Sequence, residues 1–134
     1  MQWVVVAARL LLALPFLVFG LDGLIGFLPA DVYPEHGERA AAFFEALVSG
    51  YAWPLLKVVE VTVALALLVG RFVPLALAMI TPVVVHILCF HLTMEPEGTP
   101  LAITLAVLTA FLAWAYRAHF RAMLEPNAKP LAGP

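Results

Sequence analysis

Four long apolar runs, at 3–28, 53–69, 72–93 and 101–116, constrain this chain more than anything else in it. A helix rising ~1.5 Å per residue crosses a ~30 Å hydrocarbon core in about 17–25 residues, which is the scale of these runs. In hydrocarbon every backbone N–H and C=O must be satisfied within its own segment, so such runs read as helices. Of the 134 residues, 64% are hydrophobic and 12% charged, and the mean hydropathy is +1.02. A soluble domain of this size cannot hide that much apolar surface, whereas a bilayer accepts it as the outer face of each helix. The expected fold is all-α: an integral membrane four-helix bundle, one domain over 1–134.

The breaks between the runs fill in the outline. The first run carries Arg9, Pro15 and Asp22 and ends near Leu28-Pro29; its length predicts tilt or a kink at Pro15. It lacks early positive charge and a small-residue cleavage site, so it reads as a retained span. An acidic connector follows, with a short helix predicted over 38–48. Its Phe43, Phe44 and Leu47 fall on one side, as in a helix that lies in the membrane interface or packs over the mouth of the bundle. Gly70-Arg71 turns the chain back, so spans two and three run antiparallel. Pro74 sits in a first turn, where proline costs little. Pro82 lies mid-span and should bend the third helix, freeing the Ala78 carbonyl. Residues 95–100 read as a turn.

Charge sets the topology. With four spans, both termini and the Gly70-Arg71 turn share a side, which holds Arg9, Arg71, Arg117, Arg121 and Lys129 against Glu125 alone. The other side holds Asp31, Glu35, Glu38, Glu45, Glu95 and Glu97, with Arg39 as its loop cation. The positive-inside rule puts both termini in the cytoplasm. Trp3, Trp114 and Tyr116 on one side, and Tyr33, Tyr51 and Trp53 on the other, fit two aromatic belts.

Ionisable residues inside such spans are costly and point inward. Trp53, Lys57, Glu60 and Ala64 recur at the spacing that aligns residues along one helix face. Counted from the span ends, Asp22, Glu60 and His86 each fall about 10 Å below the outer surface at ~1.5 Å per residue. Lys57 is a turn above, His91 is near the rim, and Thr104 of the fourth span is at similar height. The expectation is a polar pocket of Asp22, Lys57, Glu60, His86, His91 and Thr104, with Asp22, Glu60 and His86 facing one another. Lys57 either snorkels outward or pairs with Glu60 or Asp22; Arg9 snorkels to the inner headgroups.

Other chemistries find little purchase. His86 and His91 stand ~140° apart around a helix and cannot readily chelate one ion, so no metal site is expected. The lone Cys89 allows neither an internal disulfide nor a CxxC pair and reads as packing. There is no basic run for nucleic acid, no Gly-rich phosphate loop and no nucleophile motif. The lipid bilayer is the one partner composition demands.

Phe19-Gly20-Leu21-Asp22, Ser49-Gly50-Tyr51, Leu56-Lys57-Val58-Val59-Glu60 and Leu68-Val69-Gly70-Arg71-Phe72-Val73-Pro74 resemble the DoxX-like family, as do Thr81-Pro82-Val83-Val84-Val85 and Phe90-His91-Leu92. The resemblance runs through nearly the whole chain and implies a small four-helix protein of the bacterial inner membrane. Members have been linked to a thiosulfate:quinone oxidoreductase, to methylamine utilisation and to a membrane oxidoreductase complex for thiol and oxidative stress. Eukaryotic relatives act as cargo receptors or receptor-assembly chaperones. Glu60 matches the family's second-helix glutamate, and His91 its Phe-His-Leu setting. The chain departs where many relatives carry a lysine after the first-span glycine, having Gly23 and Leu24, and it lacks the cysteine pairs of thiol-active members.

The resemblance implies an accessory subunit or assembly factor of a membrane redox system, with a polar pocket facing outward and a redox protein or a second copy as partner. One alternative is a quinone-reactive oxidoreductase subunit using Glu60 and His86 as proton carriers. Another is a small-molecule or proton permease, against which the lack of an inverted repeat counts. No cofactor is required by the sequence; a quinone is compatible with it.

Overall fold

A computed structural model describes residues 1–33 and 35–130. The chain is helical, and no strand occurs among the described residues. Four long helices, α1 (Gln2–Ile25), α3 (Ala52–Val69), α4 (Val73–Thr93) and α5 (Thr99–Ala115), follow the four apolar runs, and α2 (Glu38–Val48) lies between the first two. Four helical stretches are long and apolar enough to cross a membrane, which fits a multi-pass membrane protein. A four-residue helix, α6 (Arg117–Phe120), and a 3-10 turn follow α5.

Glycine in the left-handed region ends two of the spans. Gly26 (φ 60°) stops α1 three residues before the predicted end, its N–H donating to the Asp22 carbonyl at 2.7 Å. Gly70 (φ 78°) stops α3, and both its N–H and that of Arg71 donate to the Ala66 carbonyl. Phe72, at φ 57°, completes the reversal into α4. That is an uncommon conformation for a residue with a bulky side chain, and it leaves the Phe72 ring 70% exposed. The fourth span begins at Thr99 rather than 101, because Pro100 is tolerated in a helical first turn. The helix α4 runs without interruption through Pro82, with the Thr81 hydroxyl donating to the Leu77 carbonyl at 2.6 Å.

α1 packs on α3 and α5, and α4 on α3 and α5, which closes the spans into a ring in the order α1, α3, α4, α5. The core is a column of aliphatic side chains, with Leu12, Val63, Leu67, Leu77, Ile80 and Leu112 fully enclosed. α1 and α3 approach most closely, because two glycines of α1 leave room there. A Cβ on Gly20 would stand 3.0 Å from Val61 Cγ2 and 3.3 Å from Glu60 Cβ, and one on Gly23 would stand 2.6 Å from Lys57 Cδ. At the other end of this interface the Arg9 guanidinium covers Gly70, and Arg9 Nε is enclosed with no hydrogen-bond partner among the described residues.

α2 carries its aromatic face onto the end of the bundle. Phe43 meets His86 and Phe90, and Phe44 meets Phe90 and Trp53. The single fully enclosed residue of α2 is Ala40.

Candidate functional site

The face of α3 that bears Lys57 and Glu60 is turned toward α1. The Lys57 Nζ lies 2.8 Å from Glu60 Oε2, and the two residues are 7% and 4% exposed. One helical turn separates them, so a single helix supplies both charges. The Lys57 stem runs across Gly23, where any larger residue would collide with it. Its ammonium ends 4.3 Å from the centre of the Trp53 ring, whose negative π face attracts a cation. Trp53 is itself fixed by an indole N–H donated to the Gly23 carbonyl at 3.0 Å. Carboxylate, ammonium and indole thus meet in an enclosed site, where losing Lys57 or Glu60 leaves the other charge buried and uncompensated.

Asp22 lies one residue before Gly23 and is also buried. The chain turns at Gly26 and folds back over it. The Leu28 N–H donates to Asp22 Oδ1 at 2.6 Å, and the Tyr33 hydroxyl donates to Oδ2. Burial, and then the hydrogen bond to this carboxylate, push the Tyr33 phenol up to about 12. Asp22 is therefore satisfied from its own side of the chain, beside the α3 pair.

The remaining residues of the expected pocket lie elsewhere. His86 is exposed on α4, its ring 5.7 Å from that of Phe43, and it does not face Asp22 and Glu60. The inward stripe of α4 is Val73, Ala76, Leu77, Ile80 and Val84; at ~100° per residue, His86 stands about 200° round from Val84. It lines an open groove of about 140 Å³ with Phe43, Cys89, Phe90, Thr93 and Met94. Thr104 is exposed, its hydroxyl donating to the Pro100 carbonyl at 2.8 Å in its own helix. His91 stays at the rim, with Nδ1 3.0 Å from the Glu95 carbonyl oxygen and its ring packed against Gly98. Among the described residues, no three His, Cys, Asp or Glu side chains are grouped to hold a metal ion.

One site went unread in the sequence. Glu95, expected as a loop acid, is buried, and its Oε1 lies 2.7 Å from His36 Nδ1. The His36 ring stacks on Phe44 at 4.6 Å with a 12° interplanar angle. The signal available was an acid placed directly after an apolar run and four residues after His91, which looks the same as any loop carboxylate. Comparison with protein-family models, curated proteins and solved structures finds no match to the chain.

Proposed function

We propose that this is a DoxX-like protein of the bacterial inner membrane that serves a membrane redox system as an accessory subunit or assembly factor. The redox setting is supported by the resemblance of the Leu56-Lys57-Val58-Val59-Glu60 and Phe90-His91-Leu92 segments. The accessory role is supported by one observation above the rest. Asp22, Lys57 and Glu60, the enclosed ionisable groups of the first two spans, are each engaged within the chain. Charges already engaged in this way are spoken for within the fold, which favours a supporting role over a reacting one. A Glu60-to-His86 proton path is not supported, because the two side chains occupy different faces of the bundle. In this reading both termini are cytoplasmic and the Asp22–Lys57–Glu60 end faces outward, in keeping with the basic and acidic loop sets.

Two measurements test the reading. Native mass and a visible spectrum of the protein purified from membranes should show a stable hetero-complex with a redox protein. A protein that purifies without a partner and carries bound quinone would instead favour a reacting subunit. For topology, Glu97→Cys in a Cys89→Ser background should be labelled by an impermeant thiol reagent from outside intact cells, and labelling only after lysis would reverse the orientation.

A further inference from the structure

We infer that α2 is a hinged lid over the buried Lys57–Glu60 pair, latched shut by His36 and Glu95. The inference concerns access to the pair and does not depend on the redox assignment.

A continuous series of contacts carries it. Glu95, at the start of the α4–α5 turn, holds His36 at 2.7 Å. His36 stacks on Phe44 of α2, Phe44 meets the Trp53 ring edge-to-face at 6.0 Å, and Trp53 lies 4.3 Å from the Lys57 ammonium. Trp53 thus touches both the lid and the cation. Glu95 is buried while His36 remains partly open, so the latch closes from the solvent side onto a preformed acceptor. The titratable groups at the latch are His36, Glu95 and His91, which reaches the Glu95 carbonyl rather than its carboxylate; His86 lies beyond Phe43.

The lid has the build of a part that moves. Its main backbone neighbour is α3, and Ala40 is its one fully buried residue, with Phe43, Phe44 and Leu47 half-buried beside the latch. Gly37 and Gly50 flank it, and a Cβ on either would touch nothing, so neither is there to make room for packing. Segments with few buried contacts and an end held by one polar pair open at lower free energy than the body of a fold. Lifting α2 would remove the backing of Trp53 and admit water to Lys57.

The chain provides its own reporter, since Lys57 and Lys129 are its only lysines and Lys129 is exposed. Purified protein is treated with an amine-acylating reagent, and modification at each lysine is followed by mass spectrometry. In the unaltered protein Lys57 should react far more slowly than Lys129. His36→Ala and Glu95→Ala should each speed Lys57 modification about tenfold, the change that ~1.4 kcal/mol of eased opening produces, and leave Lys129 unchanged. Unchanged Lys57 rates in both variants would overturn the lid. A second experiment does not rely on weakening the fold: His36→Cys with Glu95→Cys, in a Cys89→Ser background, is joined by a short bismaleimide. Joining should slow Lys57 several-fold below the unjoined protein, and a rate unaffected by joining would overturn the lid. Failure of the accessory-subunit reading would appear as a missing partner in native mass and would leave these rates as they are.

Discussion

α3 and α4 are alike in apolarity, and each carries ionisable groups at mid-depth, yet they treat them in opposite ways. α3 buries Lys57 and Glu60 against α1, whereas α4 leaves His86 on its outer face beside Phe43. The helix opposite makes the difference. Gly20 and Gly23 of α1 leave a channel that the Lys57 stem and the Glu60 Cβ fill, while the inward stripe of α4 is occupied by Ala76, Leu77, Ile80 and Val84. An ionisable residue enters a membrane bundle where a neighbour has been cut back to admit it, and only if its counter-charge comes with it.

The strongest test of that contrast is to remove one ionisable side chain from each helix. Glu60→Ala leaves the Lys57 ammonium enclosed and unpaired, and should cost roughly 3–5 kcal/mol. His86→Ala removes a ring from an open groove and should cost under ~1 kcal/mol. Unfolding in mixed micelles measures both, and equal losses would break the comparison. Glu60→Gln keeps an acceptor for Lys57 and should fall between the two.

A second test fills the channel instead. Gly23→Val puts its Cβ 2.6 Å from Lys57 Cδ and should destabilise by about 1–3 kcal/mol, as overpacking does. Adding Lys57→Ala should recover part of that loss, a coupling of ~0.5–3 kcal/mol expected only between residues in contact. Thr104→Val, on the outward face of α5, should stay within about 0.5 kcal/mol of the parent.

The last test concerns Asp22. Tyr33→Phe removes one of its two donors and should cost about 1–2 kcal/mol. The Tyr33 phenol is held at about 12 against an ordinary 10.0. Its folded value is raised, so the stabilisation is complete below pH 10 and is lost as pH rises through about 12. An ultraviolet titration of phenolate should show one tyrosine with a midpoint near pH 12 that is absent from the Tyr33→Phe protein. A transition at pH 10 with no difference between the two would remove the Asp22 contact from the picture.

These contrasts also mark what could be read from residues alone. The helix 38–48 matches α2, and three spans both begin and end within two residues of expectation, because Gly, Pro and acidic breaks interrupt the apolar runs abruptly. The inward stripe of α3 was legible through Trp53, Lys57, Glu60 and Ala64, since polar residues break an otherwise uniform surface. The facing of α4 and α5 was not. Their apolar side chains go all the way round, as lipid contact permits, so periodicity carries no mark of the inner side. Counting depth gave His86 a level but no azimuth, and Thr104 shared that fate. The end of α1 was misjudged because an apolar run does not record that Gly26 can turn left-handed. Glu95 escaped notice because its partner, His36, is 59 residues away in the chain.

The spacing of the buried pairs along the chain has a consequence for biogenesis. Asp22 takes its donors from Leu28 and Tyr33, six and eleven residues later, and Lys57 meets Glu60 three residues on. These three buried charges are thus provided for by segments that leave the ribosome beside them, before the rest of the ring exists, whereas Arg9 meets its neighbour Gly70 only once α3 is made. A nascent α1 can enter the bilayer with its carboxylate already answered, and α3 can follow as a net-neutral rod. None of these three charges has to wait at the translocon for a later helix to make it tolerable to lipid.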